Sequence, residues 1–234
     1  MKGSKMASVI SIQIGRVKTY GDAQSKDFLE KEWQSASFKE VSLSPLLARF
    51  DGLADDEVSD KIHHGGIDKA IFANSYENYI HWASFLNIEQ LPYGALAENL
   101  TIGGLHESTV MLGEIHQIGS AILQVSQPRK PCWKISRRWN HKAFTNEIFT
   151  SGLTGWYYKV LQEGEIQKGD TIHVIREHGT EISILQANTA FREPECHQKM
   201  LEEILRIPSL AISYYESIEK RLSGQGNLDY MKTT

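Results

Sequence analysis

The stretch Ile122-Leu123-Gln124-Val125-Ser126-Gln127-Pro128-Arg129-Lys130-Pro131-Cys132-Trp133-Lys134 begins as an apolar strand and runs into a loop that two prolines stiffen. Arg129, Lys130 and Lys134 flank Cys132 in that loop. Cationic neighbours favour the thiolate form of a cysteine, which serves as nucleophile or soft metal ligand. A buried, inert cysteine fits the same local pattern equally well. Cys196, beside His197 in a polar helical turn without basic neighbours, reads as incidental.

Outward from this loop, no Asp or Glu occurs between Ile115 and Asn146, where the average acid content of the chain would place about four. The same window holds Arg129, Lys130, Lys134, Arg137, Arg138 and Lys142, a local cationic cluster or a solvated basic face. The whole chain hides it: 234 residues carry 25 Lys and Arg against 29 Asp and Glu, a formal charge of −4. Charge-driven binding to nucleic acid or to a membrane surface is therefore not expected. No apolar run approaches the roughly 18 residues that span a bilayer, and the start lacks a signal-peptide core, so the expected location is cytoplasmic. Two cysteines are too few for a disulfide scaffold, a four-Cys zinc site or an all-Cys iron–sulfur cluster within the chain. Electrons, if used, come from another protein.

Val9–Ile14 and Thr171–Ile175 are strand-like as well, and glycines punctuate the chain up to Gly169, which favours a β-rich barrel or sandwich with long loops. Phe72, Tyr76, Tyr79, Ala83 and Leu86 recur at helical spacing, with Asn74 and Glu77 resembling a capping box. From about Glu181 the apolar spacing turns helical. Three short helices are expected, near Ile184–Phe191, Pro194–Leu205 and from a Ser209 cap to about Leu222. The chain thus divides into a β-rich part, residues 1–180, and a helical part, residues 181–234, too small for an ample core of its own.

Two further segments carry candidate chemistry. Asp60-Lys61-Ile62-His63-His64-Gly65-Gly66-Ile67-Asp68-Lys69-Ala70 pairs glycines that permit unusual backbone angles with flanking lysines, although it lacks the spacing of a P-loop or a Rossmann turn. Ala97-Glu98-Asn99-Leu100 sets a carboxylate beside an amide ahead of the Gly103-Gly104 turn.

Taken in order, these segments resemble the MOSC domain family, named after the C-terminal domain of molybdenum cofactor sulfurase. The resemblance rests on Ser35-Ala36-Ser37-Phe38-Lys39, His64-Gly65-Gly66 with Asp68-Lys69-Ala70, Glu98-Asn99-Leu100, and Gln124 to Arg129 with Pro131-Cys132. It extends to Gly152-Leu153-Thr154-Gly155-Trp156 and to Gly164 followed by Lys168-Gly169-Asp170. The helical end is similar to the three-helix domain of the YiiM-type branch, which includes 6-hydroxylaminopurine resistance enzymes. Ala97 stands where that branch usually has Gly, and Glu114 where Asp is frequent.

The resemblance implies a mainly β fold with helices: a barrel-like MOSC domain followed by a small three-helix domain. It implies a molybdenum cofactor of the molybdopterin type, with Cys132 as the metal ligand. Arg129, Lys69, Lys61 and Lys39 would face its anionic parts, His64, Gly65 and Gly66 would shape the pocket, and Glu98 and Asn99 would meet pterin edges or orient the substrate. The implied activity is reduction of N-hydroxylated compounds, with His64 or a cofactor-bound water supplying protons and a flavin or iron–sulfur protein supplying electrons in trans. A carrier of cofactor or sulfur acting through Cys132 is the alternative. Tyr214 and Tyr215 in the helical end are candidates to cover a planar base.

Overall fold

The computed structural model describes residues 6–60, 65–176 and 181–232. Lys61 and His64 lie outside the described residues. Eight strands form the main sheet: β1 (Ser8–Ile14), β2 (Glu40–Val41), β3 (Ile71–Ser75), β4 (Leu100–Gly103), β5 (Ile115–Ile118), β6 (Ala121–Pro128), β7 (Trp156–Gln162) and β8 (Ile172–Arg176). Their order is β8-β5-β6-β7-β3-β4-β1-β2, antiparallel throughout except for the parallel pair β3 and β4. The sheet curls until β8 meets the start of β1: Val9 N donates to Asp170 O at 2.9 Å and Ile172 N to Ala7 O at 2.9 Å, with a bridge between Ser8 and Thr171. Closure removes an exposed edge and gives the expected barrel.

Ile71–Ser75 corrects the sequence reading. The helix expected from Phe72 starts only at Asn78, as α1 (Asn78–Phe85), and residues 71–75 are a strand buried on both faces between β7 and β4. A short run that is apolar on both sides carries no period, so its first residues mimic the helix that follows. Asn74 and Glu77 make no capping box; the Glu77 carboxylate accepts from Ser75 Oγ at 2.8 Å and from Gly104 N at 2.8 Å. Two further helices, α2 (Lys134–Arg138) and α3 (Phe144–Ser151), follow the Cys132 loop. They pack Ile135, Phe144 and Ile148 against Trp82 and Leu96 in a small second core.

The C-terminal helices are α4 (Ile184–Arg192), α5 (Gln198–Ile204) and α6 (Ile212–Leu222). Ser183 caps α4 in a full capping box with Gln186. Ala211, not Ser209, precedes α6. Ile184, Ala187, Leu201, Ile204, Tyr214 and Ile218 join the barrel residues in one continuous core, so the helices bury their apolar faces on the barrel. No helix among the described residues is long and apolar enough to cross a membrane.

Candidate active site

Register sets three strand ends beside the middle of a fourth strand. Pro128 ends β6 opposite Trp156 at the start of β7, Trp156 pairs with Ala73 in the middle of β3, and Ala73 pairs with Leu100 at the start of β4. Gly155 makes this approach possible: its φ is +72° and a Cβ there would collide with the Ala73 carbonyl. The residues at or just beyond these positions, Arg129, Cys132, Tyr157, Phe72 and Asn99, therefore line one cleft. Lys39, Asp56, Ser59, Lys69, Lys134 and the Ser35–Ser37 segment complete its wall.

Arg129 is 6% exposed, and its Nη1 has no hydrogen-bond partner. Its backbone N donates to Gly155 O at 3.1 Å and its guanidinium carbon lies 5.4 Å from the Phe72 ring centre. A buried guanidinium with an open donor is costly unless an anion completes it. Cys132 is 8% exposed and its carbonyl accepts from Thr145 Oγ1 at 3.1 Å, which anchors the loop on α3. Tyr157 faces both residues: burial pushes its phenol up to about 12, with Arg129 opposing and Cys132 reinforcing the shift. Burial also lowers Lys69, against the pull of Asp68 and Asp60. Gly66, with φ +98° and open space around its absent Cβ, turns the chain into the short helix that carries Lys69.

Lys39 reaches the wall, but its charge is already matched. Its Nζ lies 2.5 and 2.7 Å from the Asp56 carboxylate oxygens. Burial still lowers the ammonium, with Asp56 opposing. Asn99 Nδ2 donates to the same carboxylate at 2.8 Å, and Asn99 Oδ1 accepts from Phe72 N at 3.1 Å. Its amide thus braces the wall between β1 and β3.

Glu98 does not line the cleft. It is fully buried behind it, accepting from Tyr79 OH, Thr101 Oγ1 (3.0 Å), Gly94 N (3.2 Å) and Leu96 N (2.9 Å). Burial raises the Tyr79 phenol, reinforced by the Glu98 charge, so this side chain stays a donor. Arg138 belongs to the same rear layer: Nη1 donates to Ser37 O and, at 2.7 Å, to Gly94 O. Burial lowers its guanidinium to about 10.

Sequence reasoning missed Tyr157, Asp56 and Ser59. Tyr157 follows directly on the Gly152–Trp156 motif, a signal that could have found it; Asp56 and Ser59 sit in a loop with no pattern. Tyr214 and Tyr215, expected over the cleft, are not there. Tyr214 is buried in the core and stacks on Phe191 at 5.6 Å, while Tyr215 is part of the outer surface of α6. Among the described residues, none that lines the cleft follows Tyr157 in the chain.

Comparison with known proteins places this geometry. Residues 60–173 match the MOSC domain. The protein YiiM of Escherichia coli is 29% identical over 74% of this chain and 79% of its own length. A protein of Gibberella moniliformis named "Reductase" is 28% identical over 87% of this chain, which spans 36% of that longer protein. The crystal structure of YiiM from Geobacillus stearothermophilus superposes with a TM-score of 0.76 at 28% identity, covering 92% of this chain and 99% of that one.

Proposed function

This chain is a YiiM-type member of the MOSC domain family, and on that footing we propose that it is a molybdenum-dependent reductase of N-hydroxylated compounds. Hydroxylaminopurine-type bases, hydroxylamines and amidoximes are the substrate class. The observation that carries the reading is the open, buried Nη1 of Arg129 in the same cleft as Cys132. An anionic pterin cofactor fits this donor set: a soft sulfur for the metal, and Arg129 with Lys69 for the phosphate. Bound there, the cofactor would supply a metal that takes oxygen from an N–O bond and cycles two electrons.

The chain's own residues do the rest. Cys132 holds the metal end, Arg129 and Lys69 hold the phosphate end, and Phe72 with Tyr157 gives the pterin an apolar wall. The balance is R–NHOH plus two electrons and two protons giving R–NH2 and water. His64 is the proton donor of this reading, since an imidazole ionises near neutrality. Two cysteines are too few for an all-Cys iron–sulfur cluster within the chain, so this reading assigns the electrons to a flavin or iron–sulfur protein acting in trans. The name of the Gibberella relative supports a redox role.

The test is amine formation from 6-hydroxylaminopurine by protein made in a cofactor-competent host, with a reduced viologen as electron source. Stoichiometric amine is expected. Protein that carries pterin and molybdenum but forms no amine would instead favour a carrier of cofactor or sulfur acting through Cys132.

A further inference from the structure

The C-terminal helices put no side chain into the cleft, yet α6 and the turn Asp229–Met231 touch the barrel at the two segments that bear its cations. Ile212 N, in the first turn of α6, donates to Asp68 Oδ2 at 3.1 Å, next to Lys69. Lys130 Nζ donates to Ser217 Oγ at 2.6 Å and lies 5.2 Å from the Tyr230 ring centre. Trp133 N donates to Tyr230 O at 3.1 Å. Lys130 and Trp133 bracket Pro131 and Cys132, and Pro131 has no N–H to offer. The side of the loop away from α3 is therefore held by the C-terminal segment.

These ties are specific in kind. A partly buried ammonium needs a partner, and a hydroxyl plus an aromatic face supply one. The backbone bond from Trp133 then fixes the far end of the same loop. We infer that Ser217 and Tyr230 are positioning residues, which lock the Lys130–Trp133 loop and so set the position and accessibility of Cys132. The inference rests on the reading of the cleft as the cofactor site for its consequence, cofactor retention, but the locking itself concerns this chain alone.

The test uses the full chain in cofactor-free form, with Cys196→Ala as background so that Cys132 is the single thiol. Iodoacetamide modification is followed by mass spectrometry. Cys132 is buried, so its modification reports opening of the loop. Ser217→Ala and Tyr230→Ala are each expected to speed modification about tenfold, while Ser217→Thr and Tyr230→Phe stay within about twofold of the parent because each keeps the tie. In cofactor-loaded protein the two alanine variants should release fluorescent pterin faster by a similar factor. The thiol rates decide the inference whether or not the parent carries pterin, so failure of the cofactor reading is seen separately. Unchanged thiol rates in both alanine variants would overturn it. So would Ser217→Thr behaving like Ser217→Ala, or an acceleration with the denaturant dependence of global unfolding.

Discussion

Arg129 and Arg138 come from the same acid-free stretch, but only Arg129 lines the cleft, and the two use their charge differently. Arg129, at the front, keeps an unpartnered Nη1 in the cleft beside Cys132. Arg138, at the rear, gives its donors to the Ser37 and Gly94 carbonyls and stacks on Phe38 at 5.1 Å. In the wall itself Lys39 and Asn99 are each paired with Asp56, and behind it Glu98 is paired with Tyr79 and two backbone amides. The difference teaches that a cationic sequence window mixes two kinds of residue. Some cations are spent on the protein's own carbonyls and carboxylates, and Arg129 keeps a donor open toward the cleft.

The comparison breaks most visibly at Cys132. Cys132→Ala should abolish amine formation and metal retention while the melting temperature hardly moves, since a thiol on a braced loop contributes little packing; Cys196→Ala should do neither. An inactive Cys196 variant beside an active Cys132 variant would move the site elsewhere. Next in size, Arg129→Met should weaken cofactor binding by about 1.5–3 kcal/mol, roughly tenfold to a hundredfold in occupancy under limiting cofactor, with turnover per bound molybdenum nearly unchanged. Normal occupancy with slow turnover would make this arginine catalytic instead.

Arg138→Met should show the opposite pattern. Losing its bonds to two carbonyls should cost about 2–3 kcal/mol of stability by urea titration, while molybdenum per folded chain stays at the parent's level. An occupancy loss as large as that of Arg129→Met would erase the distinction between the two layers. The smallest effect is expected at Ala97, which lines the cleft with φ +73° where glycine adopts that angle freely. Ala97→Gly relieves about 1–2 kcal/mol of backbone strain but adds about 0.4–1 kcal/mol of unfolded-chain entropy, for a net gain of about 0–1.6 kcal/mol in thermal unfolding.

Much of this was legible in the sequence. The short strands and glycine punctuation pointed to a β-rich barrel or sandwich, the family resemblance of the ordered motifs narrowed this to a barrel, and the helical spacing after Glu181 located three helices within a few residues. These signals survive because they are local: a period, a proline, a turn. The division of labour among the charges was not legible. Lys39 and Asp56 meet across a fold-dependent gap, and nothing near Lys39 in the chain announces its partner. Glu98 reads as turn chemistry until Tyr79, from a separate helix, is brought to it. Tyr157 had one local signal, its place directly after the Gly152–Trp156 motif, but only the pairing of β7 with β3 and β6 brings it to Arg129. Ile71–Ser75 was misread because burial on both faces erases the alternation that marks a strand.

The central claim, that the open cation and the thiol together hold a molybdenum pterin, is tested most directly by composition. Protein purified from a cofactor-competent host should contain molybdenum and, after oxidation, fluorescent pterin in equimolar amounts, and Cys132→Ala made in the same host should lose the metal. Parent protein that emerges folded from that host without pterin, or Cys132→Ala that keeps its molybdenum, would contradict the account.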